Sequence, residues 1–207
     1  RGSFLARLQL IIHTGAILTG ASIALFLGAD SALYMYTILL GTGIVAGLGA
    51  ARVVAKLPEP PDTAQRHRDR LGEALGKAFR RPGFGRFLVV LSLKSFLIAM
   101  VIPFLVVYMK RVYDQGDSTV IFFAVFGSLG AVVMALVSGV AIDTTGPKPI
   151  SQIFAAFMLL ALLPAALAPP VAGSALWIFA VVIFFFGNMG AWGLENGLNA
   201  YFFGMIE

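Results

Sequence analysis

Six continuous apolar runs, each about as long as a bilayer core is thick, decide what this chain can become. A helix needs about 20 predominantly apolar residues to cross the hydrocarbon core. Runs of that kind cover Leu8–Gly28, Ala32–Ala55, Phe87–Met109, Thr119–Ile142, Ile150–Ala168 and Ala175–Phe203. They do not alternate polar with apolar residues, so helices are predicted and barrel strands are not. Composition agrees. Of the 207 residues, 59% are hydrophobic and 12% are charged, too few charges for the surface of a water-soluble domain. The expected fold class is all-α, a polytopic membrane protein with six transmembrane helices. The sequence has no cysteine, which excludes disulfides, thiolate metal sites and a cysteine nucleophile within it.

Basic residues predict the orientation. Arg1 and Arg7 precede the first span, Arg52 to Arg86 crowd the second connection, and Lys148 follows the fourth span. The opposite side carries only Lys110 and Arg111, while Lys94 lies inside a span. The excess of Lys and Arg on one side places both ends of the segment and the long connection in the cytoplasm. That connection, residues 57 to 86, opens with a stiff PEPP linker. Thr63 to Arg80 then reads as a helix, with Leu71, Leu75 and Phe79 four apart among basic residues. Such a helix fits the anionic inner leaflet, and a solvated connector fits the same pattern.

Small residues recur at every fourth place in three spans. They form Ala16-x-x-x-Gly20-x-x-x-Ala24, Gly43-x-x-x-Gly47, and a longer ridge through Gly127, Ala131, Ala135 and Gly139. Faces of this kind let helix backbones approach closely, so they are expected to meet other helices rather than lipid. Pro103 and Pro164 are expected to interrupt their spans, as kinks or hinges.

Ionisable groups at membrane depth are costly and mark helix seams or water-filled cavities. Lys94 is seven residues into the third span, ~10 Å from its inner end at ~1.5 Å per residue. Glu195 lies ~12 Å from the same side if its span ends near Phe203. The depths match, so the two can pair if their helices are neighbours; Lys94 can equally snorkel to the interface. Asn188, Trp192, Glu195 and Asn199 fall on one helical face, flanked by Asn196. This stripe suits a ligand-facing wall or an amide-bonded packing seam. His13, alone in the first span, reads as a packing hydrogen bonder or, by its titration range, a proton carrier.

The stretch SGVAIDTTGPKPI, residues 138 to 150, places Gly139, Asp143, Gly146 and Lys148 where a long apolar run stops. The turn is short enough to hold two helix ends together. Asp143 is expected near the N-terminus of the following helix, with Lys148 as a second partner. Gly139-x-x-x-Asp143-x-x-Gly146-x-Lys148 resembles the cytoplasmic signature of major facilitator superfamily transporters, with Thr144 where that family often has Arg. RGSFLARLQL resembles the basic connection before the family's fifth helix, and KLPEPP with its basic sequel resembles the central cytoplasmic loop.

The resemblance implies helices five to ten of a twelve-helix bundle. Residues 1–56 would be the last two helices of the N-terminal half, 57–86 the central loop, and 87–207 the first four helices of the C-terminal half. The chain, which begins without Met and ends on an aromatic run, is then expected to be an internal segment. The implied function is secondary transport of a small solute by alternating access, with coupled protons or ions as further partners. Lys94, Asn188, Trp192, Glu195 and Asn199 would line the substrate cavity. Gly139, Asp143, Gly146 and Lys148 would form a cytoplasmic gating motif. The implied location is a bacterial inner (plasma) membrane, and the bilayer is the one other partner, with no cofactor, metal or nucleic acid. The alternative is a six-span protein that does not transport, such as a subunit, receptor or channel. An enzyme is not expected: Ser22 is nine residues from His13 on one helix, and His13 and His67 fall in different compartments.

Overall fold

The computed structural model describes residues 2–28, 32–57, 76, 79–80, 82–167 and 173–206. Among these are six long helices and no strand: α1 (Gly2–Leu27), α2 (Leu33–Val54), α3 (Phe84–Val112), α4 (Asp117–Thr145), α5 (Pro147–Leu167) and α6 (Ser174–Ile206). All six are long and apolar enough to cross a membrane. Each extends a few residues beyond or stops just short of its apolar run, since hydropathy marks the bilayer core and not the helix ends. The helix expected between Thr63 and Arg80 falls almost wholly outside the described residues. Pro103 and Pro164 sit inside α3 and α5, which continue past them. Neighbouring helices and local adjustment satisfy the carbonyl a proline frees, so a membrane helix can continue through it.

The chain divides into two compact units. One holds residues 31–97, the other residues 1–30 and 98–207, so α3 contributes its first half to one and its second half to the other. In the smaller unit, α2 has no buried residue. Gly43 and Gly47 are exposed among the described residues. On the first half of α3, Phe87 and Lys94 are buried.

The larger unit is built around α4. This helix runs antiparallel to α1, tied at both ends. Ser3 donates to Asp143 at one end, and Ser118 Oγ donates to the Ala24 carbonyl (2.9 Å) at the other. The ridge Gly127, Ala131, Ala135 and Gly139 is buried along its whole length, as its spacing predicts. On α1 the buried residues Leu5, Gln9, His13, Ala24 and Leu27 recur at helical spacing and define the inward face. Of the expected small-residue face, Gly20 meets Val125 of α4 and Ala24 is buried, while Ala16 is exposed; toward the start of α1 the inward stripe runs through His13 and Gln9.

Helix α6 lies along α4 and α5. A methyl group at Gly130 would collide with the Phe185 carbonyl, and one at Gly190 would sit 2.6 Å from the Met158 backbone nitrogen. These two glycines bring α4, α6 and α5 to backbone contact. In lipid, dispersion contacts across such seams hold helices together, because lipid is as apolar as the side chains. A further cluster at the Ser118 end joins Leu105 and Met109 of α3, Phe123 of α4, and Ala180, Ile183 and Phe184 of α6. Large apolar side chains such as Leu25, Leu136, Leu160 and Ile178 are exposed on the outside, as a lipid-facing surface requires.

Candidate functional site

Two polar assemblies stand out in the larger unit. The first is the end of α4. The helix closes with the Gly146 nitrogen donating to the Ile142 carbonyl (3.0 Å), and Gly146 itself takes φ 95°. A side chain is strained there, which explains a glycine at this position. Pro147 follows as the first residue of α5, where a missing N–H costs nothing. One residue therefore reverses the chain between two membrane-length helices.

Asp143, one turn before this reversal, is exposed and points to α1. Its Oδ2 accepts from the Ser3 hydroxyl (2.7 Å) and the Ser3 backbone N–H (3.2 Å). The carboxylate thus caps the first turn of α1, whose amides lack partners of their own and whose dipole favours an anion. The expectation placed Asp143 at the start of the following helix; the bonds described run instead to a helix 140 residues earlier in the chain. The antiparallel course of α1 along α4 brings that first turn beside Asp143. Gly139 is buried one turn earlier, and with Ser3, Ala6, Arg7 and Leu10 it lines a groove of about 380 Å³ between α1 and α4. Lys148 is exposed on the first turn of α5.

The second assembly is a polar layer where α1, α4 and α6 meet. His13 is buried and packs edge-to-face on Trp192, ring centroids 4.6 Å apart. Asn196, fully buried, donates from Nδ2 to Ser138 Oγ (3.2 Å) and to Met134 Sδ (3.6 Å). Gln9 is buried one turn from His13. Spacing alone singles out His13 and Trp192 but not Gln9 or Ser138. The available signal was Gln9 and His13 at i and i+4 in an otherwise apolar run.

The predicted stripe on α6 divides between partners. Asn188 is half-buried beside Gly127 of α4 and donates to the Phe184 carbonyl (2.9 Å). Trp192 turns to α1. Glu195 and Asn199, both half-buried, pair one turn apart through Asn199 Nδ2 and Glu195 Oε1 (3.4 Å). Lys94 belongs to the other unit, where it is buried. No group of three metal-ligating side chains occurs among the described residues.

A bundle of bilayer-length helices with buried polar groups at its seams defines an integral membrane protein. The family model of the Major Facilitator Superfamily matches residues 1–205, and the chain belongs to that superfamily of transporters. No curated protein and no solved structure matches it.

Proposed function

We propose that the chain supplies helices five to ten of a twelve-helix secondary transporter that moves a small polar solute by alternating access. In this reading 1–56 closes the N-terminal half, 57–86 is the cytoplasmic connection and 87–207 opens the C-terminal half. Lys94, Asn188, Trp192, Glu195 and Asn199 face the central cavity. Gly139, Asp143, Gly146 and Lys148 form a latch that favours the state open to the outside. The side bearing both chain ends is the cytoplasmic one, in a bacterial inner membrane.

The observation that carries this reading is the pair of bonds from Ser3 to Asp143. On the helix assignment they join the N-terminal half, through α1, to the C-terminal half, through α4. A charge-assisted hydrogen bond contributes about 1.5–3 kcal/mol and an anion at a helix N-terminus about 0.3–1 kcal/mol, both reduced by exposure. A net of ~1.4 kcal/mol changes a two-state ratio about tenfold. Such a latch biases a transporter without freezing it. The experiment is uptake by the intact transporter in proteoliposomes, with the solute first found from a panel of radiolabelled sugars, amino acids and organic ions. Asp143→Asn is expected to keep expression and slow uptake several-fold. Uptake at the unmodified rate overturns the latch.

A further inference from the structure

Three buried polar atoms meet no hydrogen-bonding partner among the described residues: Gln9 Oε1, His13 Nε2 and Asn196 Oδ1. All three belong to the layer between α1, α4 and α6. Leaving a polar group buried and unsatisfied costs about 1–3 kcal/mol each, so three in one layer call for a shared explanation.

Their arrangement supplies one. α1 is antiparallel to α4, as the bonds at its two ends fix. α6 is parallel to α4, since Gly127 meets Asn188 and Ser138 meets Asn196. Gln9 and Asn196 are therefore both one turn from the His13–Trp192 pair, toward the same end. His13 is ten residues from Ser3 and eleven from Ala24, so ~15 Å along the helix from each tie. The layer sits midway along the seam.

The two amide oxygens can only accept, and a neutral imidazole keeps a lone pair on one nitrogen. The neutral layer thus has too many acceptors and too few donors. One added proton converts His13 to an imidazolium with two N–H donors, turning an acceptor into a donor where acceptors are in excess. Trp192, 4.6 Å away, is within the range at which an aromatic ring attracts a cation. We propose that His13 is a proton-binding site, its charged form held by Trp192 and by the amide oxygens of Gln9 and Asn196.

The titratable and charged groups on the three helices leave His13 the central one. α1 adds Arg7, exposed near its start; α4 carries Asp117 and Asp143 at its two ends; α6 carries Glu195 and Tyr201. Asp117 is paired with Lys110, and Asp143 with Ser3. Glu195, beside Asn196, is the carboxylate nearest in sequence to the layer, and it is bonded to Asn199. The proton comes from water and returns to it, with no other bond made or broken. The site stands on this geometry; its use as the coupling proton rests on the transporter reading.

The test is the fluorescence of the intact transporter carrying Trp192 as its one tryptophan, with Trp177, packed on Phe123, and any tryptophan outside this sequence replaced by Phe. Protonated imidazole quenches indole, so emission should fall in one reversible step between about pH 8 and pH 5. His13→Gln should abolish the step. Gln9→Met, of similar length and apolar, should keep it and move its midpoint about one pH unit toward acid, the loss expected for one charge-assisted bond. Glu195→Gln should keep it. A flat profile, a step that survives His13→Gln, or a step lost in Glu195→Gln overturns the proposal. Should His13→Gln not fold, nitrogen NMR of histidine-labelled protein reads the ring directly, and an imidazole that stays neutral to pH 5 overturns it. Uptake is measured in parallel. A step without pH-driven uptake supports the site and removes only its coupling; uptake without a step overturns the site and leaves the transporter reading standing.

Discussion

Asn196 shows how much a single amide can decide inside a membrane. It is 0% exposed, and its nitrogen bridges to Ser138 on another helix. Replacing it by Leu removes a donor and an unsatisfied acceptor together, and Ser138 can turn to its own helix backbone. Asn196→Leu is therefore expected to change stability by less than about 1 kcal/mol. Asn196→Asp, measured above about pH 8 where His13 is neutral, leaves a buried charge unpaired and should cost about 3 kcal/mol or more. Thermal unfolding in detergent checks both. Glu195→Gln preserves the bond to Asn199 while removing the charge, so it should leave the melting temperature unchanged and alter solute affinity or the pH dependence of uptake; no change in either makes the pair structural. At this scale the sequence reveals little. Charged and aromatic residues in apolar runs are conspicuous, and His13, Trp192 and Glu195 stand out at once. Gln9 and Ser138 do not, because a lone amide or hydroxyl in a span has no periodic signature. Their role depends on contacts between separate helices; Ser138 meets Asn196, 58 residues further along the chain.

Helix boundaries and the α4 ridge, by contrast, follow from one-dimensional pattern. Apolar length fixes a span, and four-residue spacing of small side chains fixes a face. The small-residue face of α6 has a less regular spacing. Gly187, Gly190, Gly193 and Gly197 are spaced by three, three and four residues, among Asn and Trp that suggest a cavity instead. In the fold, α5 lies against them, with Phe154 over Gly193 and Ser151 over Gly197. Gly43 and Gly47 carry the four-residue spacing on α2, which has no buried residue within this chain. Gly130→Val should separate α4 from α6 and cost about 1–3 kcal/mol, read as a lower midpoint in thermal unfolding. Gly146→Ala, placing a side chain at φ 95°, should cost about 1–3 kcal/mol with the transmembrane seams intact.

Across the whole molecule, the family assignment and the six spans accord with the sequence pattern, while the bonds from Ser3 to Asp143 lie outside it. Helix-dipole logic correctly asks for a helix N-terminus near that carboxylate, but the pattern offers the adjacent helix, and the fold supplies α1. Chain order cannot reveal which antiparallel neighbour arrives there. The sequence's lack of cysteine makes the contact testable. Ser3→Cys with Asp143→Cys, bridged by a short bifunctional thiol reagent in the intact transporter with any cysteine outside this sequence replaced by serine, is expected to stop uptake, and cleaving the bridge to restore it. Uptake unaffected by the bridge would mean that this contact does not open during the cycle. The single-residue reversal at Gly146 also bears on how the protein is made. Helices joined by one residue cannot be delivered to the bilayer independently, because the second has no tether long enough to wait outside. α4 and α5 must enter as one hairpin during synthesis, and neither can be inverted without the other.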